Sequence, residues 1–97
     1  MRAFEVKSAR KAAVVDIVES AIGTGDVLVR VAYCGICGTD LHIYDGEFPA
    51  KFPLVLGHEF SGVVERTGKG VKSLKVGEYV AVDPNISCGT CYYCRRE

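Results

Sequence analysis

Short apolar runs, alternating or β-branched and broken at close intervals by glycine turns, dominate the chain. Met1–Lys7 sets Phe4 and Val6 against Ala3, Glu5 and Lys7, a period-two pattern that predicts a first strand. Ala12–Glu19 (AAVVDIVE) predicts a second, with Asp16 and Glu19 free to face water. Val27–Ala32 (VLVRVA) predicts a third, after the turn Gly23-Thr24-Gly25-Asp26. From Cys37 to Tyr44 the β pattern stops, and Thr39-Asp40 opens a short helix carrying Leu41, His42 and Tyr44 that Asp45-Gly46 ends. Phe48–Pro53 is a loop, and Leu54-Val55-Leu56 leads into Gly57-His58-Glu59. Phe60–Arg66 and Glu78–Val82 resume strand character on either side of a Gly68-Lys69-Gly70 turn, and a cysteine-studded loop follows Asp83-Pro84. These elements predict one mostly β domain, a small barrel or sandwich with one short helix.

Composition narrows the function classes. With 97 residues, 48% hydrophobic and 25% charged, the chain has ordinary globular composition and room for one domain. Twelve Lys and Arg balance twelve Asp and Glu, which argues against nucleic acid or an anionic membrane as the main partner. No run approaches the roughly 18 apolar residues of a spanning helix, and the first residues lack an apolar signal core. The expected location is the cytoplasm. The five cysteines, at 34, 37, 88, 91 and 94, are odd in number and spaced C-x-x-C and C-x-x-C-x-x-C. That arrangement suits metal ligation in a reducing compartment better than a disulfide framework.

Two groups of residues carry candidate chemistry. Cys37 and His58 each stand at a break in strand pattern beside glycine, which permits close backbone approach to an ion. Glu59 follows His58, while Thr39 and His42 lie near enough to Cys37 to reach a ligand bound at the same metal. Asp40 is a candidate acceptor for the unliganded nitrogen of His58, fixing its tautomer. Spacing alone leaves the alternative open, since a lone Cys serves equally as a small buried apolar residue and a lone His as a structural one.

Three motifs together resemble the zinc-containing medium-chain alcohol dehydrogenases. Gly57-His58-Glu59-x-x-Gly62 with Gly68 and Val71 matches that family's signature, and Cys34-Gly35-Ile36-Cys37-Gly38-Thr39-Asp40-Leu41-His42 resembles its first zinc-ligand motif. Cys88-x-x-Cys91-x-x-Cys94 is similar to its structural-zinc lobe. The resemblance implies a GroES-like, partly open β barrel for residues 1–97, forming the N-terminal part of a catalytic domain. It further implies that Cys37 and His58 ligate a catalytic zinc beside Glu59, and that Cys88, Cys91 and Cys94 ligate a structural zinc. Thr39 would accept the substrate hydroxyl's proton and pass it toward His42, Asp40 would hold His58, and Cys34 would be a packed thiol without a ligand role. The implied reaction is oxidation of a secondary alcohol to a ketone with hydride transfer to NAD or NADP. The wording around Cys37 is similar to the polyol and threonine dehydrogenase branches, so a small alcohol or polyol is the implied substrate and a homodimer or homotetramer the implied assembly.

The chain also departs from that pattern. Gly23-x-Gly25 and Gly68-x-Gly70 lack the third glycine and following helix of a dinucleotide fold, so the nucleotide-binding domain is expected elsewhere in a longer parent protein. A third ligand for the first zinc and a fourth Cys for the second are expected beyond residue 97, leaving this segment inactive alone. Gly77-Glu78-Tyr79-Val80 carries Glu where the family has Asp. The alternatives are a non-enzymatic zinc-binding module of the same fold, an iron–sulfur protein built on Cys88, Cys91 and Cys94, and a zinc ribbon pairing Cys34 and Cys37 with two late cysteines. The last requires a gap of roughly 15 to 20 residues, far shorter than the one present.

Overall fold

A computed structural model describes residues 1–96. Its elements are β1 (Arg2–Ser8), β2 (Lys11–Asp16), β3 (Val27–Gly35), α1 (Gly38–Asp45), β4 (Leu54–Val55), β5 (Glu59–Thr67) and β6 (Tyr79–Ala81). They form two three-stranded antiparallel sheets, ordered β2-β1-β4 and β3-β5-β6. The expected mostly β, partly open architecture with one short helix is therefore realised as two sheets that share no strand among the described residues.

Where element ends differ from expectation, the ladders explain it. The second strand stops at Asp16 rather than Glu19 because its partner begins at Arg2, and Ile17 makes the last backbone bond, to the Met1 carbonyl. Glu19 instead pairs with Arg66 at 2.8 Å, tying the following segment to β5. The third strand runs past Ala32 to Gly35 because β5 offers partners as far as Glu59. The expected Glu78–Val82 strand narrows to three residues, although Glu78 and Val82 still bond to Val64 and Phe60.

Two signature glycines are required by close backbone approach. A Cβ at Gly62 would run into the Arg30 carbonyl on the neighbouring strand. One at Gly68 would strike the Gly23 and Thr24 carbonyls, where the Gly68 and Gly70 N–H groups dock on the 23–26 turn. That turn forms as expected, with the Gly23 N–H donating to Asp26 Oδ2 at 2.9 Å.

The core is thin. The buried apolar side chains are Val6, Ile43 and Val64. The accessible surface is 7688 Å², against about 5,400 Å² for a compact chain of this mass. The radius of gyration is 15.6 Å, against about 12 to 13 Å for a self-contained domain of this length. Part of the open surface is an apolar cleft of about 780 Å³ walled by Phe4, Ile17, Val31, Ile36, Leu56 and Phe60. No helix is long and apolar enough to cross a membrane among the described residues.

Candidate metal centres

The β3–β5 register builds the first centre. Gly35 pairs with Glu59 at the end of the ladder, so Cys37, two residues beyond β3, meets His58, one residue before β5. The Cys37 sulfur, a His58 ring nitrogen and a Glu59 carboxylate oxygen all lie within 4.8 Å of one another. Gly57 makes this junction possible with φ +112, a conformation that side chains rarely adopt, and a Cβ there would sit 2.9 Å from the Cys34 sulfur.

Cys37 also caps α1. Its sulfur accepts from the Thr39 N–H at 3.3 Å, and Asp40 Oδ2 accepts from the Cys37 N–H at 3.0 Å, closing a capping box. Sequence places the helix start at Thr39-Asp40, whereas the cap falls at Cys37 because its thiol takes the role usually filled by a hydroxyl or carboxylate. Hydrogen bonds from Thr39, through its hydroxyl and then its N–H, hold the Cys37 thiol below its ordinary value. His58 is raised, chiefly by its hydrogen bond with Cys37 and then by the Asp40 carboxylate. Each partner favours the other's charged form, as expected of a nucleophilic or metal-binding Cys–His pair.

Asp40 is only 7% exposed. Its second oxygen, Oδ1, faces His58 Nδ1 at 3.4 Å. That separation lies outside good hydrogen-bond geometry, and Oδ1 has no other partner. With Nδ1 turned to Asp40, Nε2 is the nitrogen of His58 left for an ion. A thiol, an imidazole and a carboxylate, with a buried carboxylate waiting behind the imidazole, fit zinc's preferred donors.

Thr39 is half-buried, and His42 lies one turn farther along the exposed side of the helix. His42 Nδ1 is 3.0 Å from Glu47 Oε2, a partner that the sequence pattern did not single out. The only local signal for it is a carboxylate immediately after the Asp45-Gly46 helix stop. Cys34 corrects an expectation: it is exposed on the cleft wall rather than packed, because no layer covers that end of β3 among the described residues.

The second centre is local. Cys88, Cys91 and Cys94 place their sulfurs within 4.8 Å of one another in the loop after β6. Cys88 accepts from the Thr90 hydroxyl, the Thr90 N–H and the Cys91 N–H, and these bonds lower its thiol from 9.0 to about 6. Cys91 accepts from the Cys94 N–H at 3.5 Å, and Cys88 and Cys94 sulfurs are 3.7 Å apart. Cys34 and Cys37 stay out of this cluster, which removes the zinc-ribbon pairing.

Over residues 23–97 the chain matches the family model of the alcohol dehydrogenase GroES-like domain. The chain belongs to that family. Within it, the chain is 57% identical over 82 residues to the starvation-sensing protein RspB of Escherichia coli K12, covering 80% of this chain and 24% of RspB. It is 43% identical over 97 residues to L-threonine 3-dehydrogenase of Pyrococcus abyssi, covering 96% of this chain and 28% of that enzyme. Among solved structures, the rspB alcohol dehydrogenase of E. coli CFT073 complexed with NADH superposes with a TM-score of 0.88 at 43% identity, covering 98% of this chain and 28% of that one. The chain thus spans about a quarter of the length of these GroES-like-domain proteins.

Proposed function

We propose that this chain is the N-terminal part of the catalytic domain of a zinc-dependent dehydrogenase that oxidises a small secondary alcohol, with a polyol or hydroxy amino acid as the preferred class, using NAD or NADP. The observation that carries the proposal is the convergence of Cys37, His58 and Glu59 at the cap of a helix that also bears Thr39 and His42. Similarity to L-threonine 3-dehydrogenase and to an NADH-complexed alcohol dehydrogenase supports the substrate class and the cofactor. The nucleotide domain, the third ligand of the first zinc and the fourth thiolate of the second would be supplied by further chain. The uncovered surface and the apolar cleft support such a covering layer. The expected assembly is a homodimer or homotetramer, and the expected location is the cytoplasm.

Cys37 and His58 would hold the first ion with Glu59 beside it, and Cys88, Cys91 and Cys94 would hold the second. When bound, the first zinc supplies Lewis-acid polarisation that lowers the pKa of the substrate hydroxyl. Asp40, whose Oδ1 faces His58 Nδ1, would orient the His58 ring and raise its basicity as a ligand. The Thr39 hydroxyl would take the substrate proton and pass its own toward His42, which leads to solvent.

The test is alcohol oxidation by the whole protein with NAD and with NADP, on threonine and a panel of linear polyols, alongside zinc stoichiometry. Two zinc ions per chain and nicotinamide-dependent turnover are expected. Cys37→Ala and His58→Ala should each abolish turnover and remove one zinc while leaving nucleotide binding intact. Zinc binding without nicotinamide-dependent turnover would favour the non-enzymatic module. Near-normal turnover in either variant would overturn the site assignment.

A further inference from the structure

We infer that Glu47 is a positioning residue for His42: it holds the imidazole by Nδ1 and so makes Nε2 the nitrogen that exchanges the proton passed by Thr39. This rests on the dehydrogenase reading above for the direction of proton flow, but the hold itself is independent of it.

The hold begins at the end of α1. Gly46 takes the left-handed conformation, φ 81 and ψ 13, and turns the chain back over the last helical turn. The Glu47 N–H then donates to the His42 carbonyl at 2.9 Å, while Glu47 Oε2 lies 3.0 Å from His42 Nδ1. One residue is therefore anchored to His42 through both main chain and side chain. The cap is braced from the opposite side. A Cβ on Gly46 would meet the Ala9 Cβ at 2.9 Å, and the Arg10 N–H of the β1–β2 turn donates to the Tyr44 carbonyl at 2.6 Å.

Neighbouring charges are occupied elsewhere. The Arg10 guanidinium pairs with Asp45 at 3.3 Å. Asp40 serves the Cys37 N–H and His58, and Glu59 belongs to the first centre. Glu47 is thus the carboxylate that faces His42.

A carboxylate only accepts, so a neutral His42 bonded to it must carry its proton on Nδ1, leaving the Nε2 lone pair open. The His42 and Glu47 side chains are 62% and 65% exposed. The pair therefore contributes little to stability, and its consequence is the choice of nitrogen. During alcohol oxidation the Thr39 hydroxyl gains the substrate proton and passes its own toward Nε2. The imidazolium formed keeps its Nδ1–H on Glu47, and Nε2–H then passes its proton to water.

The experiment is ring ¹⁵N NMR of His42 in the zinc-loaded whole protein, assigned by loss of its signals in His42→Asn, with kcat and KM measured separately in parallel. Wild type is expected to show the Nδ1–H tautomer when the ring is neutral. Glu47→Ala should shift it toward the Nε2–H form that an unrestrained histidine side chain favours in water. In Glu47→Ala kcat should fall severalfold, with KM and zinc content unchanged. Glu47→Gln, whose amide oxygen still accepts from Nδ1–H, should restore most of kcat. An Nε2–H tautomer in wild type, or an unchanged tautomer in Glu47→Ala, would overturn the inference. A zinc-loaded protein that oxidises no alcohol would overturn the dehydrogenase reading, while the tautomer would still decide whether Glu47 holds His42.

Discussion

The two candidate centres use the same chemistry and opposite construction. Cys37, His58 and Glu59 come from the ends of two strands and the cap of a helix, assembled only when β3 and β5 are in register. Cys88, Cys91 and Cys94 come from one short loop in which backbone N–H groups and Thr90 already point at the sulfurs. The first centre is a product of the fold and is backed by a buried carboxylate. The second lies outside the strands, on exposed or half-buried cysteines, and a metal there would make local structure rather than inherit it. A ligand set drawn from distant strands suits a site that must hold geometry during a reaction, whereas a contiguous one suits a site that must hold a loop.

The sharpest way to break this contrast is Asp40→Asn. It should weaken zinc at the Cys37 centre about tenfold to a hundredfold and leave the zinc in the Cys88 loop untouched, as followed by competitive chelation of both ions. Equal weakening of both, or of neither, would show that Asp40 does not act through His58.

A second, smaller effect comes from the loop. Cys91→Ser should lower the unfolding midpoint of the whole protein by roughly 10 °C through loss of a structural ion, with turnover per correctly folded molecule retained at low temperature. Selective loss of turnover at an unchanged midpoint would mean that the roles of the two centres are exchanged.

The smallest effect concerns protons. In the metal-free protein Cys88 should alkylate with half-maximal rate near pH 6, against 9.0 for an ordinary thiol. Its depressed value also means that the thiolate's bonds to Thr90 and Cys91 stabilise the loop fully above pH 9.0 and cease to do so as pH falls through about 6. Mass-spectrometric labelling between pH 5 and 10 measures this directly, and an onset near pH 9 would contradict the bonding pattern.

Strands and helix were legible because their cues are local: period-two apolar runs, a stop at Asp45-Gly46, turns at Gly23–Asp26 and Gly68–Gly70. The grouping of Cys37 with His58 and Glu59 was suggested by strand breaks beside glycine and decided only by motif resemblance, since nothing in the spacing requires Gly35 to pair with Glu59. What escaped depends on three-dimensional accidents. Cys34 sits at C-x-x-C spacing from Cys37, yet its sulfur lies against Gly57 on an open cleft wall. Glu47 meets His42 only because a left-handed glycine reverses the chain between them. The purpose of Gly62 and Gly68, visible as a pattern, became physical only when their missing Cβ atoms were seen to admit neighbouring carbonyls.

One sulfur does two jobs in this molecule, and the two cannot be switched independently. The Cys37 thiol accepts from one of the free N–H groups of the first helical turn and also belongs to a group of side chains that could hold an ion. Fraying of that turn would swing the sulfur away, and without an ion the thiolate would be left to Thr39 and His58. Absorption from a cobalt ion substituted at this position would therefore serve as a gauge of helix integrity, reporting the order of residues 38–40 without any label on the helix itself.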